Sequence, residues 1–221
     1  MTVAERVAMA RSKANTLTDR CLELERAHAN NRFLIYEGVF GASLDRTFAG
    51  NAFAALRNAS FGFELIRLTA LWDRPAEDRV SIPEIVGLID DEAVRTQLRT
   101  EFDAFYSDDT NWILRGPENG RRFERRWRHA IAASRRVLSS VRLDSLRAHR
   151  DKFLAHNLTI PTAHSPRYGY ERRLLRTSQR IALSLSTVLE DRGLDYEHSR
   201  EINRKHAIAF WTGLKWANPS V

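Results

Sequence analysis

The apolar positions of this chain recur in steps of three and four, the spacing that lines one face of an α-helix, whereas strand-like alternation is weak. Val7, Ala10, Ala14, Leu17, Cys21, Leu24 and His28 follow this rhythm and predict an amphipathic helix over about residues 3–30. The stretch from Arg32 to Leu44 is apolar with two glycines and either continues that helix or turns. Phe61, Leu65, Leu68 and Trp72 form a second stripe, on a helix of about 48–73 that ends near Asp73-Arg74-Pro75. Ser81-Ile82-Pro83-Glu84 has the spacing of a capping box and predicts a short helix to about Leu88. A further helix is expected from about Asp91 to Phe105, before Ser107-Asp108-Asp109-Thr110.

Gly116-Pro117 punctuates the next start, and the helical run from about Glu118 either breaks near Ser139-Ser140 or continues to Asn157. Pro161 and Pro166 enforce a loop. Leu174, Ile181, Leu185 and Val188 mark a helix of about 170–191, with Gly193 placed to stop it, and Asp195 is placed to cap a last helix carrying Phe210, Trp211 and Trp216. No internal repeat interrupts the pattern. The expected fold class is therefore all-α, a multi-helix bundle with antiparallel neighbours. It reads as a single helical domain over residues 1–221, with a core of about 10–190 and a C-terminal extension of about 195–217. Trp72, Trp112, Trp127 and Trp211 sit on helical stripes and are expected in the core or at its rim rather than as base-stacking platforms.

Composition narrows the class. The chain has 221 residues, 43% of them hydrophobic, enough for a core of its own. The lone cysteine, Cys21, allows neither an internal disulfide nor a cysteine-based metal site. The start of the chain carries Glu5, Arg6, Arg11 and Lys13 with no apolar run, and no stretch approaches the roughly 18 apolar residues of a membrane span. A soluble, cytoplasmic protein is expected, with no membrane partner. The net charge is +7, but unevenly spread. Residues 31–110 hold eight Arg and fourteen Asp/Glu, whereas residues 121–180 hold sixteen Arg/Lys and only four acids. A basic segment of that strength suits a polyanion, most often nucleic acid. The plain alternative is an Arg-rich chain writing solvated helix faces, since only four of its 35 basic residues are Lys.

Within the basic segment, residues 142–157 place two stripes side by side on a helix. One reads Leu143, Leu146, Arg150, Phe153, Asn157; the other reads Arg142, Ser145, His149, Lys152, His156. Arg150 interrupts an apolar face, where a guanidinium needs an anionic partner. The string Arg150-Asp151-Lys152-Phe153-Leu154-Ala155-His156-Asn157 resembles the motif of the HEPN superfamily, and of its AbiU2-like branch in particular: an Arg, usually followed by a polar Asn, Asp or His, with four to six residues before a His near a helix end. Leu68-Thr69-Ala70-Leu71-Trp72-Asp73-Arg74, followed by Ser81-Ile82 and Ile85, is similar to the same branch. Spacing alone is weak evidence, because 31 arginines produce it by chance about one time in three. Arg122/His129, Arg142/His149, Arg192/His198 and Arg200/His206 satisfy it too, but Phe123, Leu143, Gly193 and Glu201 follow those arginines, whereas Asp151 follows Arg150.

The resemblance implies cofactor-free, metal-independent cleavage of RNA by attack of the ribose 2′-hydroxyl on its phosphate, in phage defence or as a toxin. It implies Arg150 as the phosphate-holding residue and His156 as the proton carrier, with Asp151 and Asn157 in support. Arg142, Arg147, His149 and Lys152 are the RNA-binding candidates. Six residues of regular helix rise about 9 Å and rotate about 240°, so Arg150 and His156 do not face each other on one helix. Either the helix frays, or a second subunit completes the site; the family pattern implies the latter, a homodimer. A nucleotidyltransferase-type antitoxin is a further partner the resemblance allows. The alternatives are a non-catalytic HEPN module that binds a nucleotide or RNA, or a helical DNA-binding regulator suggested by charge alone. A purely structural role also stands, with Arg150 paired to an acid such as Glu64 or Asp73 and His156 a cation at the helix C-terminus. His28, His129, His164, His198 and His206 are scattered and expected to be surface or satisfied residues. The run Arg121–Arg128 suits an RNA-binding face and an amphipathic helix with Phe123 and Trp127 inward equally well.

Overall fold

A computed structural model describes residues 1–36, 49–107, 117–154, 167 and 169–213. Among them are eight α-helices, two π-helical segments and no strand, as the three-to-four spacing predicts. The helices are α1 (Val3–Asn31), α2 (Ala49–Ala70), α3 (Ile82–Ile89), α4 (Glu92–Ser107), α5 (Pro117–Leu138), α6 (Val141–Ala148), α7 (Tyr170–Glu190) and α8 (Tyr196–Gly213). Arg32–Tyr36 continues α1 as a π segment, so the apolar stretch begins by extending the helix. The helical run that starts at Pro117 does break at the serines: Ser140 accepts a hydrogen bond from the Leu143 amide and caps α6. Beyond α6 the chain widens into a second π segment, His149–Leu154.

Local chemistry explains most boundaries. Thr2 and Glu5 form a full capping box at the start of α1 that the pattern of apolar residues did not flag. The expected box at α3 is only half made. Ser81 accepts from the Glu84 amide, but the Glu84 carboxylate turns instead to Lys13, 3.1 Å away. Lys13 is buried on α1 and also donates to the Glu77 and Arg79 carbonyls, so one ammonium ties down the connection between α2 and α3. Gly193 does not stop α7. Asp191 does, in the left-handed conformation at φ 52, with its carboxylate held by Tyr106 and Arg122. Asp195 caps α8 as expected, accepting from the His198 amide.

Helix α1 is the central element. Val7, Ala10, Ala14, Leu17, Cys21 and Leu24 are all buried, and α1 packs against α2, α3, α4, α7 and α8. Ion pairs and hydrogen bonds give the directions. Residues 23, 28 and 31 of α1 meet residues 67, 64 and 60 of α2, and residues 11 and 25 meet residues 189 and 179 of α7, so both neighbours run antiparallel to it. Helix α8 follows α7 after a short connection and runs parallel to α1, with Glu25 meeting Arg200 and Asn30 meeting Trp211. Helix α8 also closes a small second cluster with Ala29, Phe33 and Leu34 through Ala207 and Trp211. Trp72, Trp127 and Trp211 are buried as expected, and Trp112 lies outside the described residues. Phe123 and Trp127 stack inward at 6.0 Å, so the aromatics of the Arg121–Arg128 run belong to the core, while Arg121, Arg125 and Arg128 are exposed. Burial pushes the Cys21 thiol up to about 12, so it is an inert core residue.

The central helix also carries polar groups into the interior, each with a partner. Glu64 on α2 is buried and receives His28 Nδ1 at 2.8 Å and Asn31 Nδ2 at 2.5 Å, while Ser60 bonds Asn31 in turn. Burial works against a charged His28, but the Glu64 hydrogen bond and charge outweigh it, and its pKa is raised. A histidine whose pKa is raised on folding contributes stability in full below its unfolded value of about 6.5 and loses it as pH climbs through the folded value. The expected outcome is a fall in urea-unfolding stability above about pH 6.5 that is largely absent in His28→Gln. Parallel pH dependence in the two proteins would remove this account.

Candidate active site

The candidate site sits where α6 and its π extension cross the C-terminal end of α2. Leu143 and Leu146 are fully buried and fix α6 to the core, as the apolar stripe predicts. Arg150 comes next on that stripe and reaches across to α2. Its Nη1 donates to Asp73 Oδ1 at 2.9 Å and, at 3.4 Å, to Thr69 Oγ1, and its Nε donates to Asp151 Oδ1 at 2.6 Å. Of the two acids that were candidates to pair with Arg150, Asp73 does so and Glu64 is taken by His28. Burial disfavours the Arg150 charge, but the bonds to Asp151 and Asp73 outweigh it and its pKa is raised. Nη2 has no hydrogen-bond partner among the described residues, so one edge of the guanidinium fork is left for a ligand.

Two backbone features hold this arginine in place. Trp72 is fully buried and its indole donates to Ser178 Oγ on α7 at 2.9 Å. Its carbonyl accepts from Arg147 Nη2, one turn before Arg150. The α2 exit is therefore clamped to α6 and α7 immediately beside Asp73. The second feature is the π geometry of His149–Leu154. A π turn closes i→i+5 and rotates less per residue than an α turn, and such segments are common at functional sites. The rotation expected for a regular helix after Arg150 therefore does not apply through Leu154.

The other candidates fall into distinct settings. Asp151 is exposed and bound to Arg150. Arg147 is half-buried, spends its donor on Trp72, and has a pKa lowered by burial and by the neighbouring Arg150 charge. His149 is half-buried with its ring edge-on to Phe61 at 6.3 Å, and burial lowers its pKa, so the ring favours the neutral form. Arg142 stacks over the Tyr170 ring at 5.5 Å, two turns before the site. Lys152 lies within the π segment. His156 and Asn157 lie outside the described residues, so the structure brings Arg150, Asp151, Arg147 and His149 together but does not bear on the Arg150–His156 geometry.

Three of the four decoy arginines close ion pairs of their own, and the fourth, Arg142, lies on the Tyr170 ring. Arg122 pairs with Asp191, Arg192 with Glu190, and Arg200 with Glu25 and Glu197. Each of these carboxylates lies in or beside a helix connection or in the core. Two residues of the site had weak sequence signals: Thr69 reads as one more polar position, and Trp72 as a core aromatic. No group of three or more His, Cys, Asp or Glu able to hold a metal occurs among the described residues, and none of their helices is long and apolar enough to cross a membrane. Comparison with curated proteins and with solved structures returns no match. The family model for AbiU2, a branch of the HEPN group, matches residues 12–210, from the first third of α1 through most of α8 and including the whole Arg150–Asn157 string. The chain belongs to the AbiU2 family of HEPN proteins.

Proposed function

We propose that the protein is a metal-independent endoribonuclease that cuts RNA through the ribose 2′-hydroxyl, with Arg150 and His156 as its catalytic residues. The observation that carries this reading is the Arg150 guanidinium, oriented by Asp73 and Asp151 on a π segment with Nη2 unengaged among the described residues. In the proposed step the 2′-oxygen attacks the adjacent phosphorus and the P–O5′ bond breaks. The products are a 2′,3′-cyclic phosphate and a 5′-hydroxyl. His156 carries a proton between the 2′-hydroxyl and the leaving 5′-oxygen, and Arg150 stabilises the charge that grows on the phosphoryl oxygens. Asn157 supports the helix end. The working form is a homodimer with an isologous interface, so that two copies of the motif helix frame one cleft. Cleavage of this kind fits a role as a toxin or in phage defence.

The Arg150–Asp73 pair favours one other reading, a non-catalytic HEPN module that binds RNA or a nucleotide, because a paired arginine is also a structural fixture. Tight RNA binding with no strand scission at high protein concentration would select it.

Two expectations follow for the enzyme. Purified protein cleaves RNA but not DNA of the same sequence with EDTA present. Arg150→Ala lowers the rate by about 10²–10³ and His156→Ala by about 10²–10⁴, with helical circular dichroism retained. Unchanged cutting in both variants would sink the assignment. Asp73 acts through Arg150 as a positioning residue. Asp73→Asn is expected to lower kcat by about 10²-fold with KM little changed. Asp73→Glu restores part of the rate, which a merely structural role in the helix connection would not require.

A further inference from the structure

Several arginines of the basic segment are paired with carboxylates. Arg135 meets Asp90, Arg122 meets Asp191, and Arg128 leans on Glu124. A cleft of about 520 Å³ between α5, α6 and α7 breaks that pattern. It is lined by Arg136 and His129 from α5, Arg142 from α6, and Arg180, Thr177 and Tyr170 from α7, and no carboxylate is among its described lining residues. None of the three arginines makes an ion pair among the described residues. Three guanidiniums facing one small space repel each other in the free protein, an arrangement that favours an anion between them.

The side chains are also arranged for donation. Arg142 lies over the Tyr170 ring at 5.5 Å, a contact that uses the face of the guanidinium and leaves its in-plane N–H groups for a ligand. Its Nε is buried and has no hydrogen-bond partner among the described residues. His129 lines the cleft with its Nδ1 held by Ser184 at 2.9 Å, and burial together with the Arg126, Arg180 and Arg136 charges lowers its pKa. A second, more open cleft lies beside the first across His129, bordered by Arg121, Arg125 and Arg128 of the same helix.

We infer that the Arg136–Arg142–Arg180 cleft is a phosphate-binding site that holds the backbone of a single RNA strand away from the point of cleavage. Arg142 precedes Arg150 by eight residues of the same helix, a rise of about 12 Å, which a few nucleotides of an extended strand cover. The anion chemistry stands on the cleft alone; the identity of the anion as an RNA strand rests on the cleavage reading.

The test measures binding of a short fluorescent 2′-O-methyl single strand to the full-length protein, as a function of salt. This strand cannot be cut through its 2′-oxygen, so the outcome does not depend on catalysis. Arg136→Gln, Arg142→Gln and Arg180→Gln, each melting like the wild type, are expected to weaken binding about fivefold to tenfold. The slope of log Kd against log salt should fall by about 0.7 for each. Arg142→Lys should recover the slope. Arg204→Gln, an exposed arginine of α8, should bind as wild type. Wild-type binding in the three cleft variants, or an equal loss in Arg204→Gln, overturns the site. Micromolar binding of inorganic phosphate or a nucleoside monophosphate that the same variants abolish overturns the strand and assigns the cleft to a small ligand. Cleft variants that bind as wild type in a protein that cuts RNA refute this inference alone. Weakened binding in a protein that never cuts refutes the cleavage reading alone.

Discussion

The arrangement of the candidate site depends on where the chain leaves α2. Trp72 is buried to its last atom between α1 and α7, and the burial of a side chain that size contributes on the order of 3 kcal/mol. With the indole fixed, its carbonyl and the next carboxylate have set positions, and each takes one arginine of the basic helix. Arg147 and Arg150 sit three residues apart, neighbours on one helix face, and Trp72 and Asp73 are consecutive. A single exit turn thus sets both the height and the rotation of the helix that carries the motif. Ser178 extends the same register to α7 through the indole N–H.

Arginine does two different jobs in this chain. In and beside the connections between helices it closes ion pairs, as at Asp191, Asp90 and Glu190. Along α5, α6 and α7 it gathers without carboxylates around one cleft. The net charge of +7 therefore understates how concentrated the positive potential is. Among the look-alikes of Arg150, Arg122, Arg192 and Arg200 are consumed by ion pairs and Arg142 lines that cleft, whereas Arg150 is oriented by two acids with Nη2 unengaged among the described residues.

Much of the fold was legible because burial imposes a period. The helices of about 3–30, 48–73 and 170–191 emerge within a few residues, since a wide apolar face is required wherever a helix packs on a core. What escaped was set by tertiary partners far away in sequence. Lys13 interrupts the buried face of α1 and is satisfied by the Glu77 and Arg79 carbonyls and the Glu84 carboxylate, more than sixty residues on. Glu84 had the spacing for a capping box but found that lysine instead. The α7 stop moved from Gly193 to Asp191 because Tyr106 and Arg122 hold the aspartate, an interaction no local rule foresees. At the site, Arg150 and Asp151 could be read from the motif, and Asp73 was one of two named acids. Glu64 and Asp73 lie nine residues apart, roughly half a turn out of phase, so only one of them can face the basic helix. The π geometry left no trace in the pattern, because an extra residue in a turn changes bonding before it changes hydrophobicity.

That wide turn has a bearing on sequence length. A π segment is a helix that has absorbed a residue without shifting the register on either side of it. Here Leu143 and Leu146 keep the incoming helix in the core, and the widening begins only at His149, after that anchorage is complete. Insertions and deletions just beyond Arg150 can therefore be taken up by tightening or loosening one turn, while Arg150 stays against Asp73. A spacing between two motif residues that varies by a residue or so, as it does across the motif this chain resembles, is then a property of the scaffold: the fold counts contacts, and lets the number of residues between them drift.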